Sequence, residues 1–237
     1  MTISNSRFAA YSKPTRATDP HPDGEEKAAL FRRIPSGIVC FLFTDIEGST
    51  KLWEAHPELM KAAMAHHDML LRAAIEVHGG YVFKTVGDAF CATFQSPLDA
   101  LFAALASLRA LRDARWADTG PLRVRMALHT GTAEEREGDY FGPTVNRAAR
   151  LLSTGHGGQL LVSLVTHELL KDHIAGDITM RDLGEHRLKD LVRPERIFEV
   201  RVPDLVAAFP AIRSSAPVSA RMPHKPIPML GGSGKSR

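Results

Sequence analysis

Apolar and polar positions along this chain follow two periods, and the switches between them mark out its elements. Val39 to Phe43 is a short apolar run, β-branched or aromatic for the most part, which predicts a buried strand. Thr44 and Asp45 put polar atoms at its end. A helical pattern then covers Lys51 to His56, and Pro57 opens a second helix running to about His78. Leu59, Ala63, His67, Leu70, Ala74 and Val77 predict its buried face. His67 on that face reads as a satisfied core histidine. Gly79 and Gly80 end the helix. Tyr81 to Thr85 and Ala89 to Phe94 predict a hairpin, with Val86, Gly87 and Asp88 in its turn.

Pro97 opens a third helix, with Leu98, Leu101, Phe102, Leu105, Leu108 and Leu111 as its core stripe. Leu122 to His129 alternates as a strand, with Arg123 and Arg125 facing away from Val124 and Met126, and ends at His129-Thr130-Gly131. The charged run from Glu134 to Glu137 predicts a solvated loop, and Pro143 starts a helix that stops near Ser153. Gln159 to Val162 predicts a short strand and Val165 to Leu170 a short helix. Asp177 to Leu188 and Arg196 to Val202 predict a closing pair of strands around a turn at residues 189–194. Elements mixed in this order predict an α+β sandwich, a sheet with helices on one face.

Composition changes this picture little. A chain of 237 residues with 44% apolar content supports one domain with tails, or at most two small ones. Residues 1–34 show no sustained period and predict a loose N-terminal tail. Residues 35–203 carry the patterned domain, and residues 204–237, rich in Pro, Gly and Ser, predict a flexible C-terminal tail. Lys235-Ser236 after glycines has the look of a phosphate loop, but Met229 stands where its first glycine belongs. Cys40 and Cys91 lie in apolar runs and read as buried thiols of a reducing compartment. No apolar run approaches the ~18–20 residues of a membrane span, and the N-terminus lacks the apolar centre of a signal peptide. A cytoplasmic protein is the expectation. The net charge of +3, without a clustered basic face, makes no case for nucleic acid.

Three stretches carry candidate chemistry. In the first, Asp45 ends a strand and Gly48, Ser49 and Thr50 lead into a helix, with Ser49 or Thr50 suited to cap it. Helix-start N–H groups favour phosphate, and a carboxylate beside a phosphate site makes sense when a divalent cation bridges them. Alone, the stretch is equally an ordinary strand-to-helix turn. In the second, the hairpin turn can set Asp88 opposite Asp45. Two converging carboxylates repel unless a cation lies between them, as in a two-metal phosphoryl-transfer site. In the third, Asn146 and Arg150 share a helix face, which suits a sugar and a charged phosphoryl group or simply solvent.

Together these stretches resemble the class III nucleotidyl cyclases. Phe-Thr-Asp-Ile-Glu-Gly-Ser-Thr, Lys-Thr-Val-Gly-Asp and Asp-Tyr-Phe-Gly-Pro-Thr-Val-Asn-Arg-Ala-Ala-Arg stand in the family's order and spacing, over roughly Pro35 to Pro203. The short connection before Asp139 is similar to that of the compact bacterial subclass. The resemblance implies a ferredoxin-like βαββαβ sandwich that pairs head to tail as a homodimer, with two equivalent sites at the interface. By similarity, Asp45, Asp88 and the backbone carbonyl of Ile46 would hold two Mg²⁺ or Mn²⁺ ions per site. Asn146 would orient the ribose and Arg150 would stabilise the α-phosphoryl charge. The N–H groups of Gly48, Ser49 and Thr50 would receive phosphate oxygens. Lys189 matches the family's phosphate-binding lysine, with Arg187 or Arg193 as alternatives in that loop. Asp45 and Asp88 would come from one protomer, and Lys84, Asp139, Asn146 and Arg150 from its partner.

Lys84 and Asp139 fall on the family's purine-selecting positions. Lysine only donates and aspartate only accepts, so the pair fits the N1 acceptor and N6 donor of adenine. The expectation is an adenylate cyclase acting on ATP. A guanylate or relaxed-specificity cyclase is the first alternative. A catalytically silent nucleotide-binding or dimerisation module is the second. No regulatory domain or partner is legible in the sequence.

Overall fold

In the computed structural model, which describes residues 34–174, 176–205 and 208–217, the chain is organised around β1, Ile38–Ile46. This strand is longer than its apolar run, so Asp45 lies within it rather than after it. Cys40, Leu42 and Ile46 pack into one core and Val39, Phe41 and Phe43 into another, on opposite faces of the sheet. Burial on both faces is why the strand reads as continuous apolar sequence rather than alternation.

A left-handed Gly48 (φ 74°) turns the chain into α1, Ser49–Ala55. Gly48 is the cap residue and no side chain caps the helix, which corrects the expectation of a Ser49 or Thr50 cap. α2, Pro57–Val77, follows. Its buried stripe is Met60, Ala63, His67, Leu71 and Ile75, not the neighbouring stripe through Leu59, Leu70 and Val77. The two apolar stripes overlap in sequence, and contact with the sheet selects between them. His67 is fully buried and only half satisfied: Nδ1 meets Asp68 at 2.9 Å, and Nε2 has no partner among the described residues. Gly80 is sterically required, because a Cβ there would stand 2.5 Å from the Phe94 ring.

β2, Tyr81–Val86, and β3, Ala89–Phe94, form the expected hairpin, with Val86 in the strand and only Gly87 and Asp88 in the turn. Gly87 takes φ 60°, a conformation that costs glycine little. α3, Pro97–Asp113, is capped by Ser96, whose Oγ accepts from Leu98 and Asp99. Ala100, Ala103 and Ala104, with Leu101, Leu105, Leu108 and Leu111, face the core, while Phe102 is turned outward. β4, Val124–Thr132, runs past the expected stop at Gly131. The run Glu134 to Glu137 is exposed but is not a loop: β5, Glu134–Arg136, pairs with β6, Asp139–Phe141, as a separate two-stranded ribbon. α4, Pro143–Thr154, β7, Leu160–Ser163, and α5, Leu164–Leu170, lead to the last long pair, β8, Thr179–Arg187, and β9, Glu195–Arg201.

The first four strands lie in the order β4-β1-β3-β2, joined antiparallel, with helices in both crossovers. This is the ferredoxin-like βαββαβ arrangement. β7 adds in parallel to β4, and β9, β8 and β10 (Ser215–Pro217) extend that edge to eight strands. α2, α3 and α5 contribute to the core on the Leu42 face, whereas α4 packs with Phe41 and Phe43 on the other. Helices therefore cover both faces, which corrects the one-face expectation for the sheet as a whole. Past Pro203, where a tail was expected, residues 203–205 form a 3₁₀ turn and β10 joins the sheet. The expected loose segment at residues 1–33 and the phosphate-loop look-alike at residues 229–236 lie outside the described residues. Cys40 and Cys91 are free thiols, and burial pushes Cys40 up to about 12 and Cys91 up to about 11.

Candidate active site

Strand alternation puts Asp45 on the same sheet face as Phe41 and Phe43, the face that α4 covers in part. Its cross-strand partner in the register is Arg125. The Arg125 guanidinium grips one carboxylate oxygen of Asp45, with Nε at 2.9 Å. From the hairpin turn, Asp88 Oδ2 accepts the Ile46 N–H at 3.0 Å. Both carboxylates thus converge on the end of β1. Burial pushes the Asp45 carboxyl above its ordinary value; Arg125 pulls it down and the nearby Asp88 carboxylate adds to the rise. A half-buried carboxylate next to a second one is a place where a cation relieves repulsion.

The donors there are hard oxygens: two carboxylates and the main chain at Ile46. They suit Mg²⁺ or Mn²⁺, which use one or two carboxylates and keep other positions for water and phosphate. Among the described residues no group of three or more His, Cys, Asp or Glu is placed to hold a metal. A site with two carboxylates needs none. After Gly48, the first internal bonds of α1 run from the N–H groups of Lys51 and Leu52 to the Gly48 carbonyl. The amides of Gly48, Ser49 and Thr50 precede that first bond.

Lys84 and Asp139 meet in an ion pair between β2 and β6. Tyr140 explains why they meet. Its ring packs edge-on against Phe83 at 4.9 Å and Phe41 at 5.5 Å, and its hydroxyl donates to the Pro35 carbonyl. Burying Tyr140 fixes the ribbon against β2, and the Tyr140 N–H also holds Asp139 Oδ1 at 2.8 Å. The hydrogen bond from Lys84 holds the Asp139 carboxyl below its ordinary value.

On α4, Asn146 is exposed and one turn from Arg150. Arg150 donates to Asp190 at 2.7 Å. Asp190 is one of two described non-glycine residues with positive φ, at 60°. This contact brings the loop that bears Lys189 beside Arg150. Lys189 and Arg193 are exposed and have no ion pair among the described residues. No hydrogen bond or ion pair among the described residues joins the Asp45 and Asp88 group to the Lys84, Asp139, Asn146 and Arg150 group. Sequence reasoning missed Arg125, Asp190 and Tyr140. Alternation gives the face of Arg125, but only the strand register gives its partner.

A 4-1-3-2 antiparallel core extended at the β4 edge is the architecture of nucleotide cyclase catalytic domains. Residues 33–198 match the adenylate and guanylate cyclase catalytic domain, and the chain belongs to that family. An uncharacterized protein of Mycobacterium tuberculosis is 40% identical over 192 residues, covering 79% of this chain and 65% of the relative. The chain thus spans just under two thirds of that relative's length. A receptor-type adenylate cyclase of Trypanosoma equiperdum is 33% identical over 206 residues, covering 68% of this chain and 44% of that protein. The solved structure of a Trypanosoma brucei adenylate cyclase in its monomeric state superposes with a TM-score of 0.67 at 28% identity, covering 76% of this chain and 94% of that one.

Proposed function

We propose that this chain is an adenylate cyclase unit converting ATP to 3′,5′-cyclic AMP and pyrophosphate, at sites shared across a head-to-tail homodimer. The observation that carries the reading is the convergence of Asp45 and Asp88 at the end of β1, with the adenine-complementary Lys84 and Asp139 pair formed on the same domain. Lys84 donates to adenine N1, and Asp139 accepts from N6. Guanine would leave both groups facing like partners, which a hydrogen-bonding site closed by the partner would reject strongly.

When bound at Asp45, Asp88 and the Ile46 carbonyl, two Mg²⁺ or Mn²⁺ ions supply Lewis acidity at the ribose 3′-hydroxyl and the triphosphate. Asn146 orients the ribose so that O3′ faces the α-phosphorus. The O3′–P bond forms as the 3′-hydroxyl proton passes to solvent water and the bond to pyrophosphate breaks, the pyrophosphate leaving with that bond's electron pair, and Arg150 donates to the oxygens that gain charge. One such donor is worth about 3–4 kcal/mol. The amides of Gly48, Ser49 and Thr50, and Lys189, take the remaining phosphate oxygens. Arg125 and Asp190 hold Asp45 and Arg150 until substrate arrives.

Three exposed apolar side chains support the dimer. Val86, Phe141 and Val192 each lie two residues from a site group, namely Asp88, Asp139 and Asp190. A partner laid over the site would cover them. No helix among the described residues is long and apolar enough to cross a membrane, and we place the chain in the cytoplasm, where ATP is supplied.

The test is product formation from ATP and from GTP, with Mn²⁺ and then Mg²⁺, over a protein dilution series. Cyclic AMP from ATP alone, rising more than linearly with protein, is expected. Cyclic GMP would overturn the base reading. No product from either, with tight binding of a non-cyclisable ATP analogue, would make the chain a nucleotide-binding module.

A further inference from the structure

The segment 211–217 lies beyond the residues that match the cyclase domain, yet it is stitched to the parts that build the site. The Arg213 N–H donates to the Thr154 carbonyl at the end of α4, at 2.9 Å. The Ala211 carbonyl meets His156 Nε2 at 3.1 Å. Ser214 Oγ meets His186 Nδ1 at 2.6 Å, and β10 pairs with β8. These anchors hold the backbone on either side of Arg213, whose guanidinium donates to Glu47 Oε1.

Glu47 is the residue after Ile46. One rigid peptide plane carries the Ile46 carbonyl and the Glu47 N–H, and that N–H donates to the Arg123 carbonyl at 2.8 Å. The Glu47 side chain is held from two directions. Arg213 takes Oε1, and the Gly157 N–H donates to Oε2 at 3.1 Å. Gly157 must be glycine: a Cβ would stand 2.5 Å from Arg123 Cβ and 2.9 Å from Glu47 Oε2. A side chain fixed at both oxygens restrains the main chain that bears it. A lone exposed ion pair is worth only ~0.2–1 kcal/mol because ordering two long side chains opposes it. Here the anchored backbone and the Gly157 bond have already ordered much of the pair.

We infer that Arg213 is a positioning residue: through Glu47 it sets the Ile46–Glu47 peptide, and with it the carbonyl assigned to the metal. This rests on the metal assignment of Asp45 and Ile46. The C-terminal segment is then a working part of the site.

The test uses the full chain and its Arg213→Ala, Arg213→Lys and Glu47→Gln variants. Mn²⁺ affinity is read by electron paramagnetic resonance, loop amide exchange over residues 47–50 by mass spectrometry without metal, and global stability by thermal melting. The expected result for Arg213→Ala is a loss of about tenfold in Mn²⁺ affinity, the lower end of outer-shell effects, with faster exchange at residues 47–50. Arg213→Lys should recover part of both. Arg213→Ala combined with Glu47→Gln should be no worse than either alone, since the two act as one unit. A merely structural role would lower the melting temperature and leave the Mn²⁺ affinity of the folded protein unchanged; that result overturns the inference. Should the parent chain bind no Mn²⁺, the metal assignment fails. The exchange measurement still decides whether Arg213 restrains the loop.

Discussion

At the proposed metal end of the site, Asp45 and Arg125 face each other across a strand register, their side chains 22% and 21% exposed. At the purine end, Lys84 and Asp139 pair between a hairpin strand and a ribbon, 46% and 27% exposed, and Arg150 reaches Asp190 at 39% and 60%. The first pair is set by the sheet itself. The others are side-chain pairs on pieces that the sheet only supports. Exposed pairs are worth about 0.2–1 kcal/mol and exchange partners readily. On the proposed reading, the purine end would therefore be made of groups that pair with each other until a nucleotide and a partner subunit offer better, while the metal end would be built before either arrives.

Several substitutions break this contrast. The largest effect is expected from Asp45→Ala or Asp88→Ala, each of which should reduce metal-dependent turnover to background in protein that still melts cooperatively. Normal turnover in both variants would end the two-metal reading. Next, Lys84→Glu puts an acceptor where the proposed adenine edge would need a donor and sets a second carboxylate against Asp139. The ratio of initial rates on ATP and GTP should fall by at least about tenfold. An unchanged ratio would remove Lys84 from base selection.

Stability sharpens the contrast further. Arg125→Ala leaves a half-buried carboxylate without its partner and should cost about 2 kcal/mol. Asp190→Ala should cost about 1 kcal/mol, since its pair is exposed and alanine tolerates the positive φ only somewhat less well than aspartate. Denaturant unfolding of the two variants measures both, and equal losses would contradict the distinction between sheet-built and surface pairs.

A separate effect lies in acid. Burial pushes His129, on β4, down from 6.5 to about 4. The unfolded chain therefore takes up a proton before the folded one does. The stability owed to neutral His129 is intact above pH 6.5 and is lost as pH falls from 6.5 towards 4. His129→Gln should flatten the pH dependence of unfolding across that window.

Much of this was legible in the sequence because it rests on local chemistry. The β1 run, the Gly79-Gly80 stop, the hairpin around Gly87 and the Pro143 start each show in residue types alone. What was not legible rests on contacts distant in sequence. The buried stripe of α2 runs through Met60, Leu71 and Ile75 because the sheet chose between two overlapping stripes. The charged run from Glu134 became a strand because its partner, Asp139–Phe141, is anchored by the burial of Tyr140. Within the site, Asp45 and Asp88 could be paired from spacing, but Arg125 needed the β1–β4 register and Asp190 the fold of a loop 40 residues from Arg150.

The central claim is that each site takes its metal end from one protomer and its purine end from the other. Mixing inactive Asp45→Ala with inactive Arg150→Ala tests it directly. Equal mixing makes half the dimers heterodimers, each with one intact site, so activity should return to about a quarter of the parent level. Verified heterodimers with no activity would contradict the account.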